Sequence, residues 1–142
     1  MPPFAFSESK QFVGTDRVGL YANVGWSAYA RDPDSLLRAV EQSSYVVSAR
    51  NSSGTLVGLA RAISDDVSIC YLQDILVSSD QQRSGIGRAL VERVLERYVR
   101  VRQKVLLTDD GPGQRAFSES IGFIEGHDFG PTPLRALVQI GS

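Results

Sequence analysis

The chain has 142 residues, 42% hydrophobic and 22% charged, and its fifteen Lys+Arg against sixteen Asp+Glu leave a formal charge of -1. That length suits one domain over 1–142 with enough core to do without staples. The balanced charge excludes an electrostatic case for nucleic acid or an anionic membrane as partner.

Cys70 and His127 are the only residues of their kinds, so neither an internal disulfide nor a His/Cys metal site can be assembled. A reducing, cytoplasmic setting is expected. No apolar run approaches the ~20 residues of a membrane span, and no signal peptide is expected at the start.

Phe4 and Phe6 alternate with small or polar residues and predict a short edge strand. Asp16 reads as the cap of a short helix through Tyr21 and Val24 that ends near Gly25. Asp32-Pro33 is a clearer start, an N-cap acceptor with proline at the first helical position. Leu36, Leu37 and Val40 then form an apolar face, and the helix stops at Ser43-Ser44.

"YVVSAR", "NSSG" and "TLVGLARAIS" predict strand, turn and strand, an antiparallel hairpin. After the Asp65-Asp66 turn, Ser68–Val77 is the next strand. From Gly85 onward Ile86, Leu90, Val94, Leu95, Tyr98 and Val101 recur at helical spacing, with a solvated face that includes Glu96 and Arg100 as an i,i+4 pair. "KVLLTD" is a short buried strand, and "PGQRAFSESIG" is a helix with Pro112 near its start and Gly122 as a C-cap. Phe123-Ile124 and "LRALVQI" predict the last strands. Hairpins followed by β-α-β-α-β give a mixed-sheet α/β protein with helices on both faces.

The segment between the fourth strand and its helix carries the functional signal. Gln82-Arg83-Ser84-Gly85-Ile86-Gly87 opens directly into the helix. A helix N-terminus presents unpaired N–H groups and partial positive charge, and glycine lets the backbone turn tightly or approach a ligand closely. Arg83 and Arg88 add formal positive charge. Phosphate held by main-chain amides is the implied chemistry, and a tight turn without ligand is the alternative. A P-loop would need a lysine that is absent, and the G-x-G-x-x-G dinucleotide fingerprint is incomplete after Gly87.

These residues fit the Q/R-x-x-G-x-G/A signature of the GNAT superfamily of N-acetyltransferases, in the setting "ILV…QQRSGIGRALVERVL". Downstream, "RAFSESIGF" resembles the family's A-F-Y-E-x-x-G-F segment. The resemblance extends over Tyr45–Ile124, and a finer likeness is to small bacterial and plant arylalkylamine members. It implies a mostly antiparallel sheet splayed at its middle strands, and acetyl-CoA as co-substrate without a metal. It further implies a pyrophosphate on the amides of Arg83, Ser84, Gly85, Ile86, Gly87 and Arg88, with Gln82 also at the coenzyme. The pantetheine arm would pair along Ile75, Leu76 and Val77, with Phe117 of the second motif also at the coenzyme.

Acetyl transfer to an amine needs a neutral nucleophile, a polarised thioester and a protonated leaving thiolate. The amide of Leu76 or Val77 could stabilise the oxyanion. Asp74 interrupts an apolar strand and is either the base or a carboxylate that fixes the strand through an arginine or backbone. Tyr71 is a second candidate, facing the other side unless a bulge intervenes. Ser118 stands where many relatives have a tyrosine as general acid. Tyr71, Tyr29 and His127 are stand-ins for that acid. The family's frequent asparagine near this helix start is also missing, with Gly111 and Gln114 in that region.

His127 is either a surface residue or a catalytic one. Trp26 and Tyr29 wall the acceptor site or pack in the core, and Asp109 and Asp110 attract a cationic amine or cap a helix. Cys70 is expected in the core. The partner implied is a small-molecule amine, with a homodimer also allowed. The alternatives are a non-catalytic acyl-CoA-binding module and a protein N-acetyltransferase.

Overall fold

A computed structural model describes residues 4–12, 19–20, 32–81, 84–108, 111 and 113–141. They fall into two compact units, Met1–Leu107 and Thr108–Ser142.

The first unit is a five-stranded sheet in the order β1-β2-β3-β4-β5. The strands are β1 (Ala5–Ser7), β2 (Tyr45–Arg50), β3 (Leu56–Ser64), β4 (Ile69–Val77) and β5 (Gln103–Leu106). The first three pairings are antiparallel and the β4–β5 pairing is parallel. Local chemistry sets the turns. Between β2 and β3, the Asn51 side chain accepts from the amides of Ser53 and Thr55, and Gly54 takes φ +82. Between β3 and β4, Asp65 accepts from the amides of Val67, Ser68 and Ile69, and Asp66 adopts φ +65.

Helix α1 (Pro33–Glu41) starts as expected, with the Asp32 side chain accepting from the Ser35 amide and Pro33 in the first turn. Its buried residues Leu36 and Val40 join Val46, Leu59 and Leu76 in one apolar cluster. Helix α2 (Ile86–Arg97) lies on the opposite face. Leu59 points into the α1 cluster, whereas its neighbour Gly58 lies under Ile86 and Leu90 of α2. A Cβ at Gly58 would stand 2.8 Å from Ile86 Cγ2, so the missing side chain lets helix and sheet meet.

With a helix on each side, β2 is almost wholly buried, whereas β4 alternates, with Cys70, Leu72, Asp74 and Leu76 buried. Tyr98 and Val101, just past α2, are buried as their spacing predicts, and Val91 joins them although it was not expected. Because α2 ends at Arg97, Arg100 falls outside it, and the i,i+4 pair on this helix is Arg88–Glu92.

In the second unit, α3 (Gln114–Ser120) begins at Gly113 with φ +85 and is followed by Gly122 with φ +96. A single 3-10 turn follows at Gly126–Asp128. The two final strands expected from the sequence are not formed. Residues 123–125 and 133–141 are irregular, and Leu137 is 90% exposed. Their alternating apolar pattern has no ladder partner among the described residues, and a strand exists only by pairing. The expected helix around Tyr21–Val24 lies outside the described residues, apart from helical Gly19 and Leu20 just before it.

Candidate active site

The C-terminal half of β4 and the start of α2 form the centre of interest. Strand β5 pairs with β4 from Ile69↔Gln103 to Leu72↔Leu106 and stops there. From Gln73 to Leu76, β4 has no ladder partner on that side among the described residues. The splay was expected at the middle strands, but among the described residues it falls between the last two strands of the sheet, because the expected final strands are not formed.

Backbone direction follows from one hydrogen bond. The Ser78 amide donates to the Val57 carbonyl at 2.8 Å, and the Leu76 carbonyl lies against Gly58, so both residues turn their polar groups toward β3. Alternation then turns the backbone groups of Ile75 and Val77 toward the open side. Of the two amides expected to meet an oxyanion, that of Leu76 is thus directed into the ladder, and that of Val77 faces outward.

The register changes at the same place. Arg61 faces Asp74, but Ala62 faces Leu72, which leaves Gln73 as an extra residue in β4. Bulges of this kind bend a strand and end regular pairing. Sequence periodicity does not reveal it, because the burial alternation of β4 runs through it without interruption.

After a short 3-10 turn, Ser79–Gln81, the chain reaches Gly85 at the N-cap of α2. Gly85 adopts φ +88, a left-handed conformation that glycine enters without penalty. A Cβ there would meet nothing within 4 Å, so backbone angle, not crowding, selects glycine. Among the described residues no side chain caps the helix, so the first-turn amides have neither an intrahelical nor a capping acceptor there. Ser84 is exposed, and Ile86 anchors the turn in the core at 1% exposure. The Arg88 guanidinium bonds Glu92 at 2.9 Å on the exposed face. Gln82 and Arg83 lie outside the described residues, as do Trp26, Tyr29, Asp109 and Asp110.

Asp74 is 1% exposed, and Arg61 Nε donates to its Oδ2 at 2.5 Å. Arg61 Nη1 also donates to Ser43 Oγ at 3.3 Å, and that hydroxyl donates to the Ala39 carbonyl of α1. The contact to Arg61 is the arginine partner that the strand-fixing role of Asp74 calls for. Tyr71 is half-buried on the other alternation of β4, so the structure does not bring it together with Asp74.

Burial pushes the Cys70 thiol up, which keeps it protonated in the core, as expected. Ser118 and Phe117 are half-buried on α3. His127 is 67% exposed, with Nδ1 3.2 Å from Glu125 and Nε2 3.4 Å from Asp128. These two carboxylates also bind Arg115, whose charge occupies the one group of possible metal ligands among the described residues. Such a surface network fits the non-catalytic reading of His127.

Arg61 and Gly58 were not singled out by sequence reasoning. A usable signal for Arg61 existed: one arginine in "TLVGLARAIS" and one aspartate in "YLQDILV", each the single charge in an apolar strand. Adjacent strands bury such charges only as a pair.

Comparison with known proteins agrees with this geometry. The family model described as "Acetyltransferase (GNAT) domain" matches residues 16–129, across both units. Histone acetyltransferase TAP1 of Glycine max is 36% identical over 91 residues, 56% of this chain and 38% of that protein. Serotonin N-acetyltransferase 2, chloroplastic, of Oryza sativa subsp. japonica is 37% identical over 79 residues, 54% of this chain and 38% of its own. The chain thus aligns with well under half the length of these plant relatives.

Among solved structures, a GNAT family acetyltransferase of Streptococcus pneumoniae TIGR4 superposes with a TM-score of 0.81 at 25% identity. The match covers 97% of this chain and 98% of that one. The open β4 edge, the glycine-led α2 and the family match over most of the chain agree, and the chain belongs to the GNAT acetyltransferase family.

Proposed function

We propose that this protein transfers the acetyl group of acetyl-CoA to a primary amine of a small molecule, by direct attack in a ternary complex. The observation that carries the reading is a helix N-terminus without a side-chain cap among the described residues, led by left-handed Gly85, placed directly after the stretch of β4 that β5 does not reach. An anion with several oxygens and an extended arm bearing amides are what two such features would bind. The diphosphate and pantetheine of coenzyme A have that chemistry.

The amides of Gly85, Ile86, Gly87 and Arg88 would hold the diphosphate, with Gln82, Arg83 and Ser84 on the loop before them. The outward backbone groups of Ile75 and Val77 would pair with the pantetheine arm, while Leu76 anchors the strand in the core. When bound, the coenzyme supplies an activated thioester. The chain aligns the amine with it, and a backbone amide turned away from β3 stabilises developing negative charge.

Asp74 positions the strand, and the amine's proton leaves through water on the half-buried side of β4 that includes Tyr71. Ser118 stands where many relatives have a tyrosine as general acid, and its hydroxyl is shorter and a poorer acid. Trp26 and Tyr29 would wall the acceptor. Serotonin N-acetyltransferase 2 supports a small amine. Histone acetyltransferase TAP1 supports a second reading, a protein N-acetyltransferase acting on lysine side chains or N-termini.

The location inferred is the cytoplasm, a reducing compartment that suits a chain with a single cysteine.

Thiol release from acetyl-CoA across a panel of arylalkylamines, polyamines, aminoglycosides and lysine peptides tests the reading. Turnover confined to small amines supports it. Turnover confined to peptides selects the second reading. Tight acetyl-CoA binding without turnover on any acceptor would indicate a non-catalytic module instead.

A further inference from the structure

Two irregularities of the sheet coincide at one residue. On one side of β4 the register with β3 slips at Gln73, and on the other side the pairing with β5 ends at Leu72. The residue pair flanking the slip is Arg61↔Asp74, the buried ion pair. An ionised pair in a core is an unexpected choice if stability alone matters, because burying it costs roughly what the attraction returns. Its directional bonds, however, fix geometry. Arg61 reaches Asp74 with Nε and Ser43 with Nη1, so one planar guanidinium joins β3, β4 and the end of α1. A residue slipped by one position would face the opposite side of the sheet, and the carboxylate would lose this partner.

We infer that Arg61 is a positioning residue: through Asp74 it locks the bulge at Gln73 and so holds the open half of β4 in the register that receives the pantetheine arm. The inference rests on the coenzyme reading above and adds the device that sets the binding edge.

The test uses the full chain and two variants. Arg61→Lys keeps the charge but cannot bond Asp74 and Ser43 through one planar fork. Arg61→Met combined with Asp74→Leu removes both charges and keeps the volume, a replacement that usually preserves folding. Hydrogen exchange on the ligand-free proteins and acetyl-CoA titration by calorimetry are read together with the melting temperature.

The expected result is exchange at the β3-facing amides of residues 74 and 76 at least about tenfold faster in both variants, with the remaining strands unchanged. The dissociation constant for acetyl-CoA should rise about tenfold with little change in melting temperature, since misplacement, not unfolding, is the cause. Folded variants with wild-type exchange at residues 74 and 76 and wild-type affinity would overturn the inference. Wild-type protein that fails to bind acetyl-CoA would instead overturn the coenzyme reading, and the exchange data would still decide whether Arg61 holds the bulge.

Discussion

Gly58→Ala probes how the coenzyme-binding turn is seated. The added Cβ would stand 2.8 Å from Ile86 Cγ2 and 3.0 Å from Leu90 Cδ1. The first contact falls roughly 0.7 Å short of the ~3.5 Å at which carbon atoms attract. Leu90 can move a terminal methyl, but Ile86 is β-branched, 1% exposed and in the first turn of α2, so its χ1 is stiff. Overpacking of this kind costs about 1–3 kcal/mol, offset by ~0.5–1 kcal/mol because alanine restricts the unfolded chain more than glycine. A net loss of about 1–2 kcal/mol should lower the melting temperature by roughly 3–8 °C for a chain of this size.

The same shift lifts the first turn of α2, so acetyl-CoA affinity should fall as well. Calorimetric melting and acetyl-CoA titration read the two effects. Adding Ile86→Ala should recover part of the Gly58→Ala loss in a double-mutant cycle, because the clashing methyl is gone. Unchanged melting and affinity in Gly58→Ala, or purely additive losses in the double variant, would refute the seating of α2 on β3 at this glycine.

Gly85→Ala should cost ~1–2 kcal/mol through its left-handed backbone angle alone, whereas Gly85→Asp should also abolish acetyl-CoA binding by placing negative charge at the helix start; equal affinities in the two variants, measured by calorimetry, would remove the anion site. Ser118→Tyr should raise the rate of thiol release if the family's usual acid is missing and not replaced, and steady-state kinetics at saturating amine would show it. Burial, followed by the nearby Glu8 carboxylate, pushes the Tyr45 phenol up to about 12, and burial also raises Tyr98. A raised folded-state value favours the protonated form, so this stability is complete below pH ~10 and is lost as pH climbs toward 12. Denaturant melts between pH 9 and 12 should show that fall, and Tyr45→Phe should flatten it. The Tyr98 hydroxyl is buried without a hydrogen-bond partner among the described residues, so Tyr98→Phe should be neutral or stabilising by up to ~1 kcal/mol.

Much of this arrangement was legible in the sequence because its causes are local. Asp32-Pro33 marks a helix start through one capping bond and one fixed dihedral. "NSSG" and Asp65-Asp66 mark turns through side-chain acceptors and left-handed residues. The period of Ile86, Leu90 and Val94 marks a buried helix face.

The bulge at Gln73 was not legible, since it is a property of pairing and leaves the burial alternation intact. The Arg61–Asp74 pair was half-visible: two isolated charges could be seen, but their register could not. The expected final strands failed for the converse reason. An alternating apolar pattern states a capacity to pair, and "LRALVQI" has no ladder among the described residues. The glycine-led turn carried its meaning through the family resemblance, because the residues alone fit a plain turn equally well.

Amide chemical-shift mapping of the isotopically labelled protein during acetyl-CoA titration reads the coenzyme site residue by residue. The largest perturbations are expected at Ile75, Val77 and Gly85–Arg88, weaker ones at Leu76, and none at Glu125–Asp128. Perturbations absent from α2's first turn and the open half of β4, or centred elsewhere, would contradict that placement of the coenzyme.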